Sequence, residues 1–159
     1  MTLDCTKYTV EELIPHSPPM VLLDRILHYD SMNLVAEITI QVGCMFYDAA
    51  VSGVPAWVGI EYMAQAISAL AGLRAREKNA GIKIGFLLGT RKMLLQQKVL
   101  LAGCTYQVHV KQLFWDPSGL ANFECEIRHD QELCVTAKVN VFETDDVTKA
   151  IKAIEVNDG

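Results

Sequence analysis

A helix-length run of apolar residues with a single carboxylate inside it leaves a chain few ways to fold. From Val54-Pro55-Ala56-Trp57-Val58-Gly59-Ile60-Glu61-Tyr62-Met63-Ala64-Gln65-Ala66 onward, the pattern predicts a helix over Trp57 to about Lys78. Before Arg74 its polar side chains are Glu61, Gln65 and Ser68, with Tyr62 half polar. A helix apolar nearly all round is a buried helix, not an amphipathic one. At about 1.5 Å per residue it spans roughly 33 Å, the width of a small domain. The remaining chain must therefore wrap around it. A carboxylate in such a place is costly unless it is paired, protonated or used, so Glu61 is the residue to explain.

At 159 residues the chain is long enough for one core and too short for two comfortable ones. Its mean hydropathy of +0.20 favours further burial in an oligomer. The net charge of −5 and the lack of any Lys/Arg block argue against nucleic acid as a main partner. Glu61 and Gln65 interrupt the longest apolar run, which argues against a membrane span. Met1 to Lys7 has no charged-then-apolar signal pattern. The five cysteines (Cys5, Cys44, Cys104, Cys125 and Cys134) are widely spaced, with no CxxC or Cys/His cluster. Reduced thiols in a cytoplasmic protein, without a zinc site, are the expectation.

Thr9-Val10-Glu11-Glu12 has the form of a capping box and starts a short helix, 9–14, that Pro15 ends. Strands are expected at Met20 to His28 and Leu34 to Val42, joined by a Tyr29 to Asn33 hairpin turn. In the second, Ala36, Ile38 and Ile40 alternate with Val35, Glu37, Thr39 and Gln41. Gly43 to Pro55 reads as a loop, long enough to suggest function. After the helix come a stop at Asn79-Ala80-Gly81 and a strand at Ile82 to Thr90. Three more strands follow, at Cys104 to Trp115, Leu120 to His129 and Leu133 to Glu143. Asp116-Pro117-Ser118-Gly119 and His129-Asp130-Gln131-Glu132 are the turns between these three. The charged tail from about 145 is expected to be mobile. The order is α+β: one long helix wrapped by a curved, mostly antiparallel sheet of five to seven strands. That is the hotdog arrangement, here as one domain over 1–159.

Ile14-Pro15-His16-Ser17-Pro18-Pro19-Met20-Val21-Leu22-Leu23-Asp24-Arg25 resembles the leading segment of bacterial 3-hydroxyacyl-acyl-carrier-protein dehydratases. Glu61-Tyr62-Met63-Ala64-Gln65 resembles the glutamate-x-x-alanine-glutamine of that family's central helix. Gly85-Phe86-Leu87-Leu88-Gly89 followed by Arg91-Lys92 is similar to the strand flanking its acyl tunnel. Pro55-Ala56-Trp57 ahead of the glutamate looks closest to the dehydratase-like proteins of aryl-polyene pathways. One departure matters. Where the fatty-acid dehydratases carry a catalytic histidine, fourteen positions before the helix glutamate, this chain has Tyr47.

The resemblance implies β-dehydration of a thioester held on an acyl carrier protein, in a homodimer or a heterodimer with another hotdog dehydratase. No metal or redox cofactor is required. Such a reaction needs a base for the C2 proton, an acid for the C3 hydroxyl and a donor for the thioester carbonyl. The helix-start amides at Ala56, Trp57 and Val58 offer the donor. Glu61 is placed to exchange protons, or is a hydrogen-bonded structural glutamate. Tyr47 is a poor base but a good donor, or a packed aromatic. Asp48 beside it is a second proton acceptor or a loop cap. His16 completes the site as a base, or fixes its proline-rich turn. Gln65 holds the glutamate or the pocket, or lies in an interface. Leu88 and Gly89 line the tunnel. Arg91 and Lys92, with Arg74 and Arg76, offer cations to an acidic carrier, although the latter pair also suits a helix C-terminus. Two other functions fit the same outline: a non-catalytic hotdog subunit that pairs with a histidine-bearing dehydratase, and an acyl thioesterase.

Overall fold

The apolar run forms its helix, and the sheet forms around it. A computed structural model describes residues 3–79 and 84–144. Thr9 caps helix α1 (Val10–Leu13) through the predicted capping box, its side chain accepting from the Glu12 amide while Glu12 returns to the Thr9 amide. A 3-10 turn, Ala56–Val58, leads into α2 (Gly59–Glu77), 19 residues or about 28 Å. Asn79 takes the left-handed φ of +54° common just past a helix end. Ala80 and Gly81, the rest of the predicted stop, lie outside the described residues, as does the tail from Asp145.

The strands are β1 (Arg25–Tyr29), β2 (Asn33–Thr39), β3 (Gly53–Pro55), β4 (Ile84–Leu95), β5 (Val99–Leu101), β6 (Thr105–Trp115), β7 (Leu120–His129) and β8 (Glu132–Thr144). Six make one antiparallel sheet in the order β1-β2-β6-β7-β8-β4. Period-two alternation sends one face of each strand onto α2. Ala36, Val108, Ile127 and Val135 pair in succession across the sheet, and each is at most 3% exposed or fully buried. The β7–β8 hairpin turns on Asp130 and Gln131, both at positive φ, the geometry that matches strand twist in a two-residue loop.

The structure differs from the sequence expectations in three places. β1 begins at Arg25 rather than Met20, because the Met20 carbonyl and Leu22 amide bond to the Gln65 side chain instead of to a strand. Gly53–Pro55, expected as the end of a loop, pairs with Val99–Leu101, a strand the sequence did not suggest. β4 runs on to Leu95 through irregularities at Leu87/Gly89 and Arg91/Leu94, which break the alternation that marks a strand.

Where α1 meets α2, Gly72 is required by close approach: a Cβ there would collide with the Leu13 carbonyl oxygen. Gly72→Ala is expected to destabilise the fold by about 1–3 kcal/mol, the range for overpacking a tight contact. A lower urea midpoint with an unchanged slope checks it.

Candidate active site

The helix is not sealed on all sides. Along one face, Glu61, Ala64, Ser68, Ala71 and Ala75 stay only half-buried, while Tyr62, Met63, Ala66, Ala69, Leu70 and Leu73 are at most 1% exposed. Spacings of three and four residues put this partly open stripe in line. It floors a cavity of about 140 Å³ lined by His16, Glu61, Ala64, Ile67, Ser68, Ala71, Gly85, Leu87, Val141 and Glu143. Glu61 and His16, 45 positions apart in sequence, therefore share one recess between α2, the N-terminal segment and the β4–β8 edge. The Nδ1 of His16 is buried with no hydrogen-bond partner among the described residues. Buried imidazole nitrogens are ordinarily bonded, so this one stands out.

The His16 segment is fixed from both sides by α2. Gln65 is 1% exposed and has a strand-like bonding pattern: its Oε1 accepts from the Leu22 amide at 2.9 Å and its Nε2 donates to the Met20 carbonyl at 2.5 Å. Gln65 thus holds the pocket wall, and its amide is spent on that wall. Two residues further on, Asp24 Oδ2 accepts from the Thr39 amide at 2.7 Å, and Arg25 pairs with Glu37 at 2.9 Å, binding the segment's end to β2.

The helix's basic end is structural. Arg74 donates to the Ser31 carbonyl through Nε at 3.0 Å and also through Nη2, tying down the β1–β2 turn. Burial lowers its pKa from the usual guanidinium value. Arg76 donates to the Glu12 carbonyl at 2.9 Å and lies 4.9 Å over the Tyr8 ring. Neither is a free docking cation. Burial, then the nearby Cys44 and Asp24, holds the Tyr62 hydroxyl above its ordinary pKa, which keeps it protonated.

The other candidates lie elsewhere. Tyr47 is half-buried, its amide donates to the Cys44 carbonyl at 3.0 Å, and it does not line the Glu61 cavity. Asp48 caps its own loop, accepting from the Ala50 amide at 2.9 Å and bridging to Gly53. The Ala56 amide, expected to be free, donates to the Lys98 carbonyl at 2.9 Å, because the β3–β5 ladder continues to the helix start. Trp57 is 61% exposed at that point. Leu88 sits at the β4 irregularity and Gly89 follows it, half-buried, while Gly85 and Leu87 on the same strand face the cavity. Arg91 and Lys92 are exposed on β4, which ends the sheet. His28 and His129 pair loosely with Asp30 and Asp130 at 3.5 Å, and His109 lies on the sheet's outer face beside Gln107. Glu143 of the lining escaped the sequence reading. Its signal is the broken alternation at the end of β8, where Val141 and Phe142 are both buried in succession.

Among the described residues no group of three or more His, Cys, Asp or Glu side chains is placed to hold a metal ion, and no helix is long and apolar enough to cross a membrane. The five cysteines are unpaired.

Comparison with known proteins places this geometry. The dehydratase heterocomplex ApeI:P from Xenorhabdus doucetiae has a chain that superposes with a TM-score of 0.84 at 26% identity, over 92% of this chain and 97% of that one. A 3-hydroxyacyl-[acyl-carrier-protein] dehydratase FabZ from Chlamydia trachomatis is 32% identical over 95 residues, 57% of this chain and 61% of that protein, so the match spans under two thirds of the relative's length. The FabZ of Anaeromyxobacter sp. (strain K) is 24% identical over 132 residues, 77% of this chain and 84% of that one. A hypothetical thioesterase from Streptococcus pneumoniae TIGR4 has a TM-score of 0.59 at 8% identity, over 76% of this chain and 84% of that one, which shows the hotdog fold alone. The family model described as ApeP-like, ApeP dehydratase, matches residues 8–152. The chain belongs to the ApeP-like dehydratase family of hotdog proteins.

Proposed function

We propose that this chain removes water from a 3-hydroxyacyl thioester carried on an acyl carrier protein, giving the 2-enoyl thioester, in fatty-acid or aryl-polyene-type synthesis. One observation carries the reading: Glu61 and the unpartnered, buried Nδ1 of His16 line the same cavity. His16 takes the C2 proton, the C2–H electrons form the C2=C3 bond, and the C3–O bond breaks. The hydroxyl leaves as water with the proton of Glu61, and solvent returns a proton from His16 to Glu61. The Ala56 amide, engaged by the Lys98 carbonyl, has no part in this reading. Ala64, Ser68, Ala71 and Gly85 leave room along the helix for the acyl chain.

Positioned acid–base groups contribute about 10²–10⁴-fold each. Glu61→Gln and His16→Asn are therefore each expected to lower kcat/KM on 3-hydroxyacyl-carrier protein by at least about 100-fold, with the unfolding midpoint preserved. Tyr47→Phe is expected to stay within about threefold of the parent. A silent His16→Asn beside a dead Tyr47→Phe would reverse the assignment of the base.

A second reading rests on Tyr47 standing where the resembling dehydratases carry histidine, and on the similarity to a dehydratase heterocomplex. In that reading the chain is a subunit paired with a histidine-bearing hotdog dehydratase, which supplies the base in trans. β4 ends the sheet with Leu87, Leu94 and Leu95 at 41%, 59% and 42% exposure, an edge of the kind that pairs with another chain. Turnover by the purified chain alone decides between the two: activity supports the enzyme, whereas activity appearing only on addition of a second hotdog chain supports the subunit.

Arg91 and Lys92 are the cations this proposal gives to the acidic carrier. The double reversal Arg91→Glu/Lys92→Glu is expected to raise KM for the carrier-bound substrate several-fold, most strongly at low salt, and to leave kcat on a small N-acetylcysteamine thioester unchanged.

A further inference from the structure

We infer that Gln65 is a positioning residue: it sets the His16 imidazole against Glu61 by serving as a one-residue strand partner for the segment that carries His16. The inference deepens the dehydration reading and rests on it for the identity of the reaction, though not for the geometry.

Residues 13–22 cross α2 as a strap with two anchors. At one end the Leu13 backbone lies against Gly72, too close for any side chain at that position. At the other, Gln65 accepts from the Leu22 amide at 2.9 Å and donates to the Met20 carbonyl at 2.5 Å. Gly72 and Gln65 are seven residues, or about 10 Å, apart on the helix. Between them the strap makes a turn closed by the Met20 amide onto the Ser17 carbonyl at 2.9 Å, and His16, just ahead of that turn, lines the cavity. Among the described residues no strand pairs with residues 20–22, and the carboxamide is the hydrogen-bonding partner that the structure gives the Met20 carbonyl and Leu22 amide. Glu61 lies one helical turn before Gln65 on the same rigid element. The helix therefore carries Glu61 directly and carries His16 through the strap, so the two reacting groups move as one body.

A carboxamide performs this task because it presents one acceptor and one donor side by side. An ionised carboxylate presents acceptors alone and would repel the Met20 carbonyl, whereas a protonated carboxyl restores the donor. Gln65→Glu is thus a reversible break. At alkaline pH its kcat is expected to fall about 100-fold, the scale for misplacing a reacting group by about 1 Å, with KM for the carrier unchanged. As pH falls, the ratio of mutant to parent activity is expected to climb back towards one. The other titratable groups nearby, His16, Asp24, Glu61 and Tyr62 on the strap and the helix and Glu143 on β8, are present in every variant, so only a recovery particular to Gln65→Glu counts. Gln65→Leu, isosteric in bulk and unable to bond at any pH, should show the loss without the recovery.

NMR supplies a readout independent of turnover. In Gln65→Glu at alkaline pH the Leu22 amide should exchange faster, and the imidazole resonances and titration midpoint of His16 should move away from those of the parent. If the Leu22 amide loosens while His16 titrates as in the parent, Gln65 is a structural tie only and the inference is overturned. An activity ratio that stays flat with pH overturns it equally. If His16 moves in the mutant while the parent protein turns over no 3-hydroxyacyl substrate, the placement stands and the dehydratase reading is what fails.

Discussion

The constraint on which everything else depends is the burial of α2. A 19-residue helix with almost no polar surface cannot face water, and a sheet that curls round it is the arrangement the remaining strands permit. The strands β2, β6, β7 and most of β8 alternate because they must offer an apolar face to that helix while leaving the other face wet. The few polar side chains on α2 then stand out as exceptions with definite tasks. Gln65 holds the N-terminal strap, Arg74 holds the β1–β2 turn, and Arg76 holds α1. Glu61 and Ser68 face the one stripe that the sheet leaves partly open.

What the sequence made legible was whatever rests on local physics. The capping box at Thr9, the apolar helix, the alternation in β2, and the β7 strand from Leu120 to His129 each depend on residues within a few positions of one another, and each is present in the structure. Apart from the bulged end of β4, the misses depend on a partner far along the chain. β5 is three residues, too short for any period, and becomes a strand through pairing with Gly53–Pro55. That pairing also takes the Ala56 amide, which a local reading of the helix start leaves free. The late start of β1 has the same origin, since Gln65 lies 43 residues from Leu22.

The site was legible in the same uneven way. Glu61 could be picked out because a lone carboxylate in an apolar helix violates the local pattern, and exceptions of that kind gather at functional positions. His16 could be named but not placed, because nothing within the segment Pro15 to Pro19 says which face of α2 it crosses. That is fixed by Gly72 and Gln65, both more than 40 positions away. Tyr47 was singled out by the resemblance alone, and within the chain it stands outside the lining of the Glu61 cavity. The loop is pinned by Asp48 to Gly53 and by Ser52, whose carbonyl accepts the Ala102 amide at 3.0 Å.

The absence of histidine at position 47 looks different once the strap is considered. A catalytic imidazole on a loop ahead of the helix depends on that loop's placement, whereas His16 is bound to the very helix that bears Glu61. On the proposed reading the strap would do for His16 what a placed loop does for an imidazole ahead of the helix, because general acid–base catalysis asks for a held distance and is indifferent to which segment supplies each group. A buried nitrogen without a partner is also an unstable feature to keep, since each unsatisfied polar atom disfavours the fold by about 1–3 kcal/mol. A chain that only needed its proline-rich turn fixed would gain by bonding that nitrogen. His16 Nδ1, without a hydrogen-bond partner among the described residues, lines the same recess as Glu61, which supports the proposed reading.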